Sequence, residues 1–205
     1  MIVPEDQGSV IAAVMTHAEA RPGAECMRLL RPDGDWVISY GELVDEARAC
    51  ARVLSSRGIE KGDVVPIVLE PGRVLVATFF GAMILGAVPT IFSLTSDKVG
   101  FAKYVERLIG VCKTSGAKFL VLDGELQKAL MCAWDEVGLD TEMLAMEDLV
   151  QMVHQVVLPD LSTQKVDLAL LQHSSGSTGA QKGVALSHRA ILNQIGSYAA
   201  ALELR

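Results

Sequence analysis

VVPIVLEPGRVLVATFFGAMILGAVPTIFSL, residues 64–94, holds two short apolar runs separated by an apolar segment of helical length. VVPIVLE reads as a buried strand, RVLVATFFGAMILGA as a largely apolar helix, and VPTIFSL as a second buried strand. No residue between Arg73 and Asp97 is charged, and a membrane-spanning helix needs only about 20 apolar residues. Gly86 and Pro89 exclude that reading. Together they divide the run into a helix of about a dozen residues and a strand, both too short to cross hydrocarbon.

The same alternation extends in both directions. Upstream, a helix is predicted at Val10–Ala20, and WVISYGEL (36–43) reads as a strand running into a helix. In ELVDEARACARVLSSRG (42–58), Leu43, Ala47, Cys50, Val53 and Leu54 recur at helical spacing, with Gly58 as terminator. Downstream, FAKYVERLIGVCKTSG (101–116) reads as a helix and KFLVL (118–122) as a strand. GELQKALMCAWDEVG (124–138) reads as a helix capped by Asp123. Short strands separated by helices of a dozen residues or more are what parallel strands with right-handed crossovers require. The expected fold is therefore α/β, a layered αβα subdomain with a mostly parallel sheet. TEMLAMEDLVQMVHQVVLPDLST (141–163) is assigned to no element; Met143, Met146 and Met152 read as core filler rather than ligands, and Pro159–Gln164 as a connector.

Bulk properties narrow the function. A chain of 205 residues can bury roughly 70% of its unfolded surface, and half of its residues are hydrophobic but only 5% aromatic, so aliphatic side chains must fill the core. A net charge of -7 argues against a general nucleic-acid binder, which needs clustered Lys and Arg. Cys26, Cys50, Cys112 and Cys132 form no close pair, so reduced, buried thiols in a cytoplasmic protein are expected rather than a zinc site or redox dithiol. MIVPEDQGSV lacks the basic start and apolar core of a secretory signal.

The chemistry concentrates in DLALLQHSSGSTGAQKGVALSHRAIL (167–192), which reads as strand, loop, strand, then a helix capped by Ser187. Leu168 to Leu202 contains no Asp or Glu, a local exception to the acidic whole. Gly176, Gly179 and Gly183 allow backbone N–H groups to face a ligand, Ser174, Ser175, Ser177 and Thr178 can donate hydroxyl hydrogens, and Lys182 adds a full charge. That set suits a polyphosphate. It is not a Walker A loop, whose Lys directly precedes a helix; here Gly183 and a strand-like VAL follow Lys182. His173 and His188 flank the loop without a nearby acid to orient either as a base, so they read as a strand-end and a first-turn helix residue. Ser187 lacks the G-x-S-x-G elbow of a nucleophile.

SSGSTGAQKG followed by VALSH resembles the phosphate-binding signature of the adenylate-forming superfamily, T/S-S-G-S/T-T-G-x-P-K-G, with Gln181 where the family has proline. This superfamily includes acyl-CoA synthetases, fatty acyl-AMP ligases, luciferases and the adenylation domains of peptide synthetases. ISYGEL resembles its L-[ST]-Y-x-E-L motif, and FFGAMILGAVPTIFS its A-x-x-x-G-A-V-P segment, in the same order. LLQHSSGSTG and KYVERLIGVCKTSGAKFLVL lean toward the fatty acyl-AMP ligase branch. The resemblance implies activation of a carboxylic acid, fatty or otherwise acyl, by ATP with Mg²⁺ to an acyl-adenylate, with release of pyrophosphate. The acyl group would then pass to coenzyme A or to an acyl or peptidyl carrier protein.

By that resemblance Ser174, Ser175, Gly176, Ser177, Thr178, Gly179, Lys182 and Gly183 bind the phosphates, and Lys182 is also catalytic, screening the leaving group. No metal ligand is expected within the chain. Residues 1–205 would be the N-terminal portion of an AMP-binding domain, with an α/β subdomain at 1–160 and the connector, phosphate loop and following helix at 161–205. The family places a second acidic motif, a hinge and a catalytic lysine segment beyond such a loop, so the chain alone is expected to be inactive without a missing C-terminal half. A stand-alone nucleotide- or partner-binding module that keeps the loop without the chemistry is the competing reading.

Overall fold

A computed structural model describes residues 8–32, 34–94, 100–145, 167–174 and 182–203, with Ser174 and Lys182 placed by backbone alone. The chain opens with α1 (Val10–Ala20), a hairpin of β1 (Glu25–Leu29) and β2 (Trp36–Ser39), and α2 (Tyr40–Ser56). Strands β3 (Val64–Val68), β4 (Val88–Ile91), β5 (Phe119–Leu122) and β6 (Glu142–Ala145) then alternate with α3 (Arg73–Ile84), α4 (Phe101–Ser115) and α5 (Gly124–Val137). A second hairpin of β7 (Leu168–Ser174) and β8 (Lys182–Ser187) leads into α6 (His188–Ala201).

The four central strands form one parallel sheet in the order β4-β3-β5-β6. The step from β3 to β4 runs one way along the sheet and the step from β5 to β6 runs the other. Right-handed crossovers therefore send the connecting helices to opposite faces. The two cores follow this division. Ala82 and Ile84 of α3 join Ala47, Ala51, Val53 and Leu54 of α2 against Val65, Ile67 and Val121. On the other face Leu108, Val111 and Cys112 of α4 and Leu130 and Trp134 of α5 cover Val68, Leu120 and Leu122. Along β5 successive residues thus alternate between the cores, as a period of two demands. The expected layered αβα arrangement is the one observed.

Local chemistry sets the element ends. The Ser39 hydroxyl accepts from the Glu42 amide at 3.3 Å while the Glu42 carboxylate accepts from the Ser39 amide at 2.9 Å, a reciprocal cap opening α2. Asp123 accepts from the Leu126 amide at 2.8 Å at the start of α5, as predicted. Gly116 and Gly138 close α4 and α5 in the left-handed region, where a Cβ would be strained. Helices α2 and α3 cross at Gly81, where an added Cβ would meet Ala47 O and Cys50 Cβ at 2.9 Å and Ala51 N at 3.0 Å. Arg73 at the start of α3 pairs with Glu42 and Glu46 of α2 beside this crossing.

Several expectations need amendment. Strand β1 was not anticipated, because Glu25 and Arg28 interrupt its apolar residues; it is held by pairing with β2, its two ionic side chains bridging at 2.7 Å. Strand β6 sits in the stretch left unassigned, since only Leu144 and Ala145 of its four residues are buried. It is anchored where Trp134 Nε1 donates to Thr141 O at 3.0 Å and Thr141 Oγ1 donates to Ala117 O at 2.7 Å. The VPTIFSL strand stops at Ile91, which is itself exposed. Met143 packs against the second core as expected, whereas Met146, Met152 and the Pro159–Gln164 connector lie outside the described residues.

Burial raises the Cys112 thiol to about 12, and the half-buried Cys50 to about 11. The expectation of buried thiols holds in full for Cys112 alone: Cys26 and Cys50 are half-buried, and Cys132 is exposed on α5. Among the described residues no helix is long and apolar enough to cross a membrane.

Candidate phosphate-binding site

The β7–β8 hairpin forms the stem from which the loop leaves. Its antiparallel register pairs Leu171 with Ala185, Gln172 with Val184, His173 with Gly183 and Ser174 with Lys182. Lys182 therefore begins a strand, six residues before a helix, which separates this arrangement from a Walker A loop as the sequence predicts. Residues 175–181, which include Ser175, Gly176, Ser177, Thr178, Gly179 and Gln181, lie outside the described residues. Gly183 lies in β8, outside the glycines that take a left-handed φ, and its ladder partner is His173. Ser187 caps α6, accepting from the Ala190 amide at 3.1 Å.

The two flanking histidines occupy the predicted positions, but their partners were not foreseen. His173 Nδ1 lies 2.9 Å from the Thr90 hydroxyl on β4, and its Nε2 lies 3.4 Å from where a Gly183 Cβ would stand. His188 is 5% exposed, and its Nδ1 accepts the Val10 amide of α1 at 3.2 Å. Burial depresses both imidazoles below the ordinary histidine range, favouring the neutral ring. Neither of these two bonds is to a carboxylate, the partner that would orient a general base. Thr90 was missed in the sequence, although a lone hydroxyl in the apolar run VPTI was a signal: fully buried, it needs a partner.

Among the described residues no three His, Cys, Asp or Glu side chains converge to hold a metal ion. Chemically, the stem can fix both ends of a hydroxyl- and glycine-rich loop next to one lysine, in a stretch without acids from Leu168 to Leu202.

The family of AMP-binding enzymes matches residues 14–204. The chain belongs to that family. Its relatives include the long-chain-fatty-acid–CoA ligase FadD13 of Mycobacterium tuberculosis (strain ATCC 25618 / H37Rv), 25% identical over 198 residues that cover 93% of this chain and 38% of the ligase. In structure it resembles the fatty acid AMP ligase from Legionella pneumophila, with a TM-score of 0.76 and 21% identity over 98% of this chain and 34% of that one. It also resembles the A-PCP protein McyG complexed with phenylalanyl-adenylate, with a TM-score of 0.77 and 22% identity over 95% of this chain and 30% of that one. The chain thus spans well under half the length of each of these three. The two structural likenesses establish the shared fold, that of the N-terminal subdomain of adenylate-forming enzymes.

Proposed function

We propose that this chain supplies the phosphate-gripping part of a ligase that activates a carboxylic acid, fatty or otherwise acyl, by joining it to AMP. One observation carries the reading. A loop spelled SSGSTGAQKG is closed by a hairpin that sets Ser174 opposite Lys182, in a chain of the AMP-binding family.

A carboxylate is a poor electrophile, and attack of its oxygen on the α-phosphorus of ATP gives a mixed anhydride with pyrophosphate as leaving group. Ser174, Ser175, Gly176, Ser177, Thr178, Gly179 and Gly183 are assigned to hold the β- and γ-phosphates through hydroxyl and backbone N–H donors, keeping the leaving group in line. Lys182 is assigned to screen the charge that grows on the departing pyrophosphate. Mg²⁺ enters this reading with ATP as part of the substrate. No residue of this chain is assigned to it.

Two thiol acceptors are supported by the relatives, coenzyme A by the ligase FadD13 and a carrier protein by the A-PCP chain McyG. We assign adenylation to the protein in which this chain is joined to the remaining portion of such a ligase, and to the 205 residues alone nucleotide binding without turnover. The proposed organisation has an α/β subdomain at 1–160 and the connector, loop and helix at 161–205, and the proposed compartment is the reducing cytoplasm.

The test is acid-dependent exchange of labelled pyrophosphate into ATP by the joined protein, across carboxylic acids of increasing chain length. Exchange with one class of acid is expected. ATP binding without exchange for any acid would replace the reading with that of a non-catalytic nucleotide-binding module.

A further inference from the structure

Thr90 is fully buried on β4, the edge strand of the parallel sheet, and β7 packs beside that strand. A buried hydroxyl demands a hydrogen-bond partner, and His173 Nδ1 provides one at 2.9 Å. His173 is the residue before Ser174, so the bond fastens the hairpin to the sheet at the mouth of the loop. The far side of the same ring faces Gly183, the residue after Lys182, with Nε2 3.4 Å from the site of a Cβ there. One imidazole thus spans from the sheet, across the end of β7, to the end of β8.

We propose that Thr90 and His173 are positioning residues for the phosphate loop. The Thr90 hydroxyl fixes the ring, and the ring holds the stem against β4, so that Ser174 and Lys182 launch the loop from a set place relative to the sheet. The inference rests on the phosphate-binding role proposed above and assigns its geometry to two side chains outside the loop. Partial burial of the imidazole supports it by favouring the neutral ring, whose bond to a hydroxyl then has less competing charge.

The test uses the 205-residue chain with inorganic pyrophosphate and ATP as probes. Calorimetry gives affinity, and nitrogen-15 spectra of the imidazole and of the Gly183 amide report ring and stem. Thr90→Val keeps the shape and removes the hydroxyl; it is expected to weaken pyrophosphate binding roughly 3- to 10-fold, the scale of one net hydrogen bond, and to shift the His173 Nδ1 and Gly183 resonances. Thr90→Ser is expected to restore both. His173→Asn keeps a polar group at the Nδ1 position but not the part of the ring that reaches Gly183, and is expected to weaken binding by a similar factor; it serves as the deciding variant should Thr90→Val not fold. Wild-type affinity in folded Thr90→Val or His173→Asn overturns the positioning role and leaves the phosphate site standing. A wild-type chain that binds neither pyrophosphate nor ATP removes the phosphate reading itself, and this inference with it.

Discussion

Replacing Gly81 with alanine sets two well-measured tendencies against each other at the α2–α3 crossing. In a helix interior the change from Gly to Ala is worth about 1 kcal/mol of stabilisation. At Gly81, however, the new methyl would stand 2.9 Å from Ala47 O, 2.9 Å from Cys50 Cβ and 3.0 Å from Ala51 N. Carbon contacts are favourable at about 3.5–4.0 Å, and two of the three neighbours are backbone atoms that can yield only if the helices part. Overpacking costs about 1–3 kcal/mol, and this site belongs at the upper end. The net expectation for Gly81→Ala is a loss of about 1–2 kcal/mol. Gly110 in α4 is the internal control, because a Cβ there meets nothing within 4 Å. The identical substitution should raise stability at Gly110, by up to about 1 kcal/mol. Urea unfolding of the three proteins decides the matter through their midpoints at constant slope. If Gly81→Ala raises the midpoint as Gly110→Ala does, the close crossing of α2 and α3 is refuted.

Three further outcomes are expected. Lys182→Ala in the joined ligase should lower kcat/KM for adenylation about 10- to 150-fold, the range for losing a hydrogen bond from a charged group, and unchanged kinetics would remove its assigned role. Because burial holds His188 below the ordinary histidine value of about 6.5, the unfolded chain binds its proton more readily, so stability is full above that value and falls as pH drops through it toward the folded-state value. His188→Asn keeps an acceptor near the Nδ1 position and should flatten that fall in urea midpoints taken between about pH 5 and 8; an unchanged slope would show that another group carries it. Under native conditions a thiol reagent should label Cys132 first and Cys112 last, and mass spectrometry showing the reverse order would contradict the described burial.

The two middle strands of the central sheet, β3 and β5, were legible because they are buried on both faces, and the runs VVPIV and FLVL carry that burial in composition alone. The caps at Asp123 and Ser187 were legible for a local reason: a hydroxyl or carboxylate before an apolar periodic run has few other roles. Strands β1 and β6 were hidden because pairing holds them more than burial does, and pairing partners many residues away leave no periodicity. The phosphate loop was recognisable as a string of residue types, and its stem as two strands. What the string could not convey was Thr90 against His173, a contact between residues 83 apart in sequence, or that His188 is the acceptor for α1.

That last bond joins residues 178 apart, and it bears on how the chain is made. An 11-residue helix such as α1 is marginal by itself in water. None of its residues is fully buried, although Ile11 and Met15 lean on the first core. At a synthesis rate of 5–20 residues per second, roughly 10–35 s separate the emergence of Val10 from that of His188. During that interval the first-turn amide of α1 lacks its acceptor, and the helix rests on α2 and α3 alone. Helix α1 therefore leaves the ribosome well before the residue that fastens it.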